Sequence, residues 1–136
     1  WEYAKYVWTM LKHYISNGAE SYLYWNMILE PWGRSTWGDS LNAMVTVDPG
    51  QKRAVFNPDF YVMKHFSNPI RPDAVRLGIK GHMAADSLLF RNPDGSYVVE
   101  AFNPFPEEKD LIVELEGERL SFTLAGESFN SMILQK

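Results

Sequence analysis

Ser21-Tyr22-Leu23-Tyr24-Trp25-Asn26-Met27-Ile28-Leu29 is the stretch on which the fold turns. Its residues are apolar on both faces and do not alternate with polar ones, which is the pattern of a strand buried inside a parallel sheet. Such a strand needs neighbours, and parallel neighbours need crossover connections. The residues that follow offer no second strand-helix-strand unit. The expected neighbours therefore lie in polypeptide beyond these 136 residues, and the stretch predicts a piece of a larger α/β structure.

On the N-terminal side, Trp1, Ala4, Trp8, Leu11 and Ile15 recur at steps of three and four, and Asn17-Gly18 supplies a left-handed stop. This predicts an amphipathic helix over residues 1–16. It begins at Trp1 without a capping residue in front, as it would if the polypeptide had been cut at the head of the helix. On the C-terminal side, residues 30–41 hold Pro31, Gly33, Gly38, Ser35 and Thr36 together with Trp32 and Trp37. They read as a long loop leaving the end of the strand, where loops commonly carry function. A short β-like run at 43–47 ends at Asp48-Pro49-Gly50, and Asn57-Pro58-Asp59 starts a helix with Pro at its first position. Pro69 and Pro72 end that helix and mark a change of architecture.

From Asp73 onward the period becomes two. Val75, Leu77 and Ile79 face one way, and Arg76 and Lys80 the other. Residues 88–91 and 97–102 flank Asn92-Pro93-Asp94-Gly95-Ser96, whose Asp-Gly pair favours a tight hairpin. Leu111/Val113/Leu115, Leu120/Phe122/Leu124 and a run at 129–134 repeat the pattern, as expected of an antiparallel sandwich.

Composition bounds the function. With 13 basic and 17 acidic residues the net charge is -4, and no Lys/Arg block exists. A phosphate-backbone partner is not expected, so nucleic acid is excluded from the reading. No apolar run approaches the roughly 20 residues of a membrane helix. Cysteine is absent, so neither disulfides nor thiolate metal sites arise. His13, His65 and His82 lack metal-ligand spacing, and no metal or cofactor is implied. The acidic groups at 107–110 and at Glu114, Glu116 and Glu118 read as turns and solvated strand faces, with calcium only weakly signalled.

Two stretches together resemble the C-terminal part of glycoside hydrolase family 30, the group of glucosylceramidases and related β-glycanases. The first is Tyr24-Trp25-Asn26 with Leu29-Glu30-Pro31, Ser35-Thr36-Trp37-Gly38 and Asn42. The second is Asn57-Pro58-Asp59-Phe60-Tyr61 with Lys64-His65-Phe66-Ser67 and Ile70-Arg71-Pro72. The resemblance is strong over the first half and general over the second. Asp73 stands where the family often has Gly, and Pro69 where it has an aromatic or aliphatic residue.

The fold class this implies is an α/β barrel fragment, the last strand and helices of a (β/α)8 barrel over residues 1–70, followed by an all-β antiparallel sandwich over residues 71–136. The activity implied is that of a retaining glycosidase with two glutamates about 5 Å apart. Both would belong to earlier barrel strands. Neither Glu30 nor Asp39 matches a catalytic position, so no catalytic residue is assigned in this chain.

The same resemblance makes Trp25, Trp37 and Asn42 the candidate substrate-binding residues. Indole faces at a barrel mouth can stack on a pyranose ring, and an amide can both donate to and accept from sugar hydroxyls. Each has a plainer reading. Trp25 and Trp37 can fill volume, and Asn42 can be a turn or strand-start residue. Asn26 can face sugar or satisfy a neighbouring backbone, and His65 is expected to pack where the second helix meets the sandwich. The partners implied are a β-linked glycoside or polysaccharide and the missing N-terminal barrel of the same protein. The resemblance favours an extracellular or periplasmic setting. The rivals are a free-standing carbohydrate-binding module, and a structural piece docking onto a separate barrel polypeptide.

Overall fold

The computed structural model describes residues 1–135. They form two units, residues 1–64 and residues 65–136 by chain position.

In the first unit, helix α1 (Glu2–Ser16) buries Ala4, Val7, Trp8 and Leu11. Trp8 is 1% exposed. Of the predicted face, Ala4, Trp8 and Leu11 are buried and Ile15 is half-buried, Val7 joins them, and Trp1 lies exposed at the helix head. No side chain caps its start. Its end is the glycine stop read from the sequence: Gly18 has φ +94°, its N–H reaches Ile15 O, and the Ala19 N–H reaches Tyr14 O at 3.0 Å. That crossed pair satisfies two carbonyls of the last turn.

The deciding stretch departs from its prediction. Strand β1 is only Ile28–Leu29, and residues 21–27 lie outside any sheet ladder, with bends at Trp25 and Met27. Tyr22, Tyr24 and Asn26 are half-buried, whereas Leu23, Trp25 and Met27 point outward, Leu23 at 93% exposure. Being apolar on two faces made the stretch read as doubly covered; among the described residues only one face is covered. Its parallel partner also differs from expectation. β1 pairs in parallel with β2 (Val45–Asp48), Ile28 opposite Val45, so one neighbour is supplied from within the chain. The long loop 30–41 makes the connection, and no helix does. β2 then turns at residues 48–52 into β3 (Arg53–Phe56), an antiparallel partner that the sequence reading did not separate out. Helix α2 (Pro58–Ser67) begins where Asn57-Pro58-Asp59 placed it.

The second unit is antiparallel throughout. Strands β4 (Val75–Leu77), β5 (Ser87–Arg91), β6 (Tyr97–Asn103) and β9 (Ser128–Leu134) form a four-stranded sheet in the order β4-β5-β6-β9. Strands β7 (Lys109–Leu115) and β8 (Glu118–Leu124) form a two-stranded layer. The layers share a core of Leu89, Tyr97, Val99, Ala101, Leu111 and Leu124, onto which Leu77 and Ile79 pack. Of Val75, Leu77 and Ile79, read from the sequence as one face, the last two pack on the core and Val75 stays outside at 60% exposure. The layers do not close completely. A cavity of about 660 Å³ remains between them, bounded by Leu77, Ile79, Leu89, Val99, Leu111 and Val113.

The β5–β6 hairpin closes as predicted, with Arg91 opposite Tyr97. Gly95 adopts φ +87°, a conformation open to glycine at no steric cost. Asn92 staples the loop to the segment after α2: its side chain donates to Pro69 O and Ser96 Oγ and accepts from the Arg71 N–H at 2.9 Å. His65, expected to pack locally, has its Nδ1 2.7 Å from Ser131 Oγ, which in turn donates to Glu100.

Candidate functional site

The three residues singled out for sugar contact all lie in the first unit. Trp25 sits three positions ahead of β1, outside any strand, because the strand is shorter than the stretch from Ser21 to Leu29 predicted. Its indole is 82% exposed, which removes core packing as its role among the described residues. The Trp25–Asn26 peptide is cis.

Trp37 is 88% exposed on the loop between β1 and β2. That loop is built. The Gly33 N–H bonds to Glu30 O, the Leu41 N–H to Gly33 O, and Arg34 bridges to Ser40. At its tip, Ser35 Oγ accepts from the N–H groups of both Trp37 and Asp39 at 3.2 Å, and the Ser35 N–H bonds to Asp39 O. The sequence accounts for this: a serine that accepts two and four residues ahead substitutes for backbone hydrogen bonds in a tight turn. A large apolar side chain is therefore held out in water on an ordered tip.

Asn42 is exposed at the far end of the loop. Its carbonyl accepts from Asn26 Nδ2 at 3.5 Å, and the Met44 N–H bonds to Asn26 O. The structure thus brings the 25–26 pair alongside residues 42–44, and Asn26 takes the backbone-satisfying role weighed for it. Trp37 is carried by the hydrogen bonds of its own loop. Trp32, not chosen as a sugar contact, is also exposed.

Three side chains bonded to or within these segments, Tyr24, Asn57 and Asp59, were missed. The Tyr24 hydroxyl donates to Asp59 Oδ2 at 2.5 Å, and Asp59 is 4% exposed in the first turn of α2. Burial, then the hydrogen bond and charge of Asp59, push the Tyr24 phenol well above its ordinary range, so it remains a proton donor. Next to Asp59, Asn57 Nδ2 donates to Ala43 O at 2.7 Å and to Thr46 Oγ1 at 2.9 Å. The sequence offered only a weak signal for this, since Asn57-Pro58-Asp59 was fully explained as a helix start.

Among the described residues no cluster of three or more His, Asp and Glu side chains could hold a metal ion, and no helix is long and apolar enough to cross a membrane. The carboxylates near the tryptophans, Glu30 and Asp39, are exposed loop residues.

A β-rich antiparallel unit follows a segment with a short parallel strand pair and outward indoles. No protein-family model matches the chain. Two Caenorhabditis elegans proteins are similar to it. "Putative glucosylceramidase 1" is 34% identical over 82 residues, which is 57% of this chain and 16% of that protein. "Putative glucosylceramidase 2" is 30% identical over 104 residues, 68% of this chain and 20% of that protein. Among solved structures, an endo-β1,6-glucanase matches 90% of the chain with a TM-score of 0.75 at 23% identity. SrfJ from Salmonella typhimurium matches 95% with a TM-score of 0.84 at 21% identity. The chain covers 28% and 30% of those two structures, and so spans less than a third of any of these relatives. The chain resembles the C-terminal part of a glucosylceramidase-like enzyme of glycoside hydrolase family 30, in agreement with its motifs.

Proposed function

We propose that the chain is the C-terminal portion of a retaining β-glycosidase. Residues 1–70 are the closing segment of its (β/α)8 barrel and residues 71–136 its β-sandwich. The two glutamates lie upstream: one attacks the anomeric carbon while the other protonates the leaving oxygen, and the second then activates water to release the sugar. Trp25, Trp37 and Asn42 contribute to the wall that receives a β-linked glycoside or polysaccharide, the indoles by stacking and the amide by hydrogen bonding.

The observation that carries this reading is the outward placement of Trp25 and Trp37, one beside a hydrogen-bonded parallel strand pair and the other on a tip fixed by Ser35. Folding gains nothing from displaying two indoles in water, whereas a ligand or a further layer of polypeptide would use them. The names of the similar proteins agree in chemical class.

Neither Glu30 nor Asp39 matches a catalytic position of the family, so the 136 residues by themselves should leave an aryl β-glucoside uncleaved. Release of the aryl group by the purified chain, at a rate that survives rigorous purification, would refute the assignment. Tight sugar binding by the chain alone would instead favour a free-standing binding module.

A further inference from the structure

Residues 57–59 grip both sides of the candidate wall. Asp59 holds Tyr24, the residue before Trp25, and Asn57 holds Ala43 and Thr46, just beyond Asn42. A third bond, from the Asn57 N–H to Met44 O at 2.9 Å, fixes the segment to the same run of backbone. The segments carrying Trp25 and Asn42 join each other by a long side-chain contact, Asn26 Nδ2 to Asn42 O at 3.5 Å, and by the parallel ladder with its Met44-to-Asn26 bond.

From this geometry we infer that residues 57–59 form a positioning bracket, in which the Tyr24–Asp59 and Asn57–Ala43 hydrogen bonds set the spacing and aim of Trp25 and Asn42 for one sugar ring. Tyr24, Asn57 and Asp59 are positioning residues and touch no substrate. This rests on the proposed sugar-wall role of Trp25 and Asn42. The physical ground is that an exposed indole has no packing of its own to fix its direction. Its aim is inherited from the backbone on either side, and an error of about 1 Å at a stacking or hydrogen-bonding group costs on the order of 100-fold in rate. Asp59 suits the task because it is buried and its partner is a phenol whose burial favours the protonated, donating form.

The test uses the full polypeptide that contains this chain, with an aryl β-glucoside as substrate. Tyr24→Phe keeps the ring and its packing and removes only the hydroxyl. It is expected to lower kcat/KM about tenfold, the scale of one hydrogen bond to a charged acceptor. Asp59→Ala should match it, while Asp59→Asn, which retains an acceptor oxygen, should recover most of the loss. The decisive measurement is a double-mutant cycle with Trp25→Ala. If Tyr24 acts through Trp25, then Tyr24→Phe has little further effect once the indole is gone. A stability effect alone would add in full to the Trp25→Ala loss. Full additivity, or unchanged kinetics for Tyr24→Phe while Trp25→Ala is impaired, overturns the bracket and leaves the sugar wall standing. Unchanged kinetics for Trp25→Ala itself overturns the wall and the bracket together.

Discussion

The two units place their apolar residues in opposite ways. In residues 1–64, Leu23, Trp25, Met27, Trp32 and Trp37 are all more than half exposed, and all four residues of β3 are exposed. In the second unit, all seven residues of β6 are buried. The contrast extends to polar groups. Asn103, with no exposure, donates to the carbonyls of Glu107, Leu124 and Ala125 and accepts from the Phe105 N–H. In the first unit most side-chain hydrogen bonds fasten exposed loops. The second unit is organised around its own interior, and the first, beside the buried face of α1, displays several large apolar residues to solvent. Substitution should therefore cost stability in the second unit and function in the first.

The contrast breaks most severely where the β8–β9 connection crosses the segment after β6. A Cβ on Gly126 would lie 1.9 Å from Pro106 O and 2.6 Å from Pro106 C, and both are backbone atoms that cannot rotate away. Gly126→Ala must push the two segments apart. They are tied by the Glu127 N–H to Phe105 O bond at 2.7 Å and by the Asn103 cluster, so the damage spreads. The expected loss is about 3 kcal/mol or more, the upper end for overpacking, seen as a lower urea midpoint. A midpoint within error of the parent would mean that the connection is looser than its hydrogen bonds imply.

Glu100 is one of two buried side chains of the second unit, with Ser87, that keep an oxygen without a hydrogen-bond partner among the described residues. Its side chain is fully buried, Oε2 accepts from Ser131 Oγ, and Oε1 has no hydrogen-bond partner among the described residues. Burial pushes the carboxyl from 4.5 up to about 9, against the smaller opposing effect of the Ser131 bond. Below pH about 4.5 both folded and unfolded states carry the proton, and its contribution to stability is fully present. Between there and pH 9 the unfolded chain ionises while the folded one keeps its proton, so stability falls as pH rises. Glu100→Gln removes that titration. The variant should lie close to the parent at about pH 5 and be more stable by roughly 2 kcal/mol at about pH 8.5. That is a fraction of the full linkage, which amounts to about 1.4 kcal/mol for each pH unit separating the folded and unfolded carboxyls. His65 Nδ1 lies 3.9 Å from Oε2, so its interaction with the carboxyl is part of what Glu100→Gln removes. Parallel stability curves for the two proteins across that pH range would show that Glu100 ionises freely in the folded state.

How much of this was legible in the sequence follows the same divide. The second unit is self-contained, so period-two patterning, the Asp94-Gly95 turn and the sites of its longer strands could be read from composition alone. In the first unit, α1 was legible because helix periodicity and the Asn17-Gly18 stop are local. The stretch around Trp25 was not, because apolar composition cannot distinguish a strand covered twice from a segment with one face bare. Strand β3 was hidden by its brevity and by the Arg53 and Lys52 charges around it. The choice of Trp25, Trp37 and Asn42 drew on family resemblance. The bracket beneath them depends on Tyr24 and Asp59, 35 positions apart, and no local pattern announces such a contact.

Asp73 offers the mildest test, at the point where the architecture changes. The sequence marked it as a departure from a family glycine, and the structure gives the reason for that glycine: Asp73 has φ +65°, in the left-handed region. Aspartate enters this region more readily than most residues but carries a steric cost that glycine avoids. Opposing this, glycine has more conformational freedom to lose on folding. The side chain is exposed, and the turn around it is held by backbone, with the Ala74 N–H bonded to Arg71 O at 3.1 Å. Relief of strain should therefore win by a small margin. Asp73→Gly is expected to stabilise the protein by about 0.5 kcal/mol, a rise in melting temperature of a few degrees at most, with no change in any sugar-dependent property. Destabilisation by more than that amount would show that the aspartate side chain holds the turn, and that its replacement of glycine is a compensated feature of the strand entry.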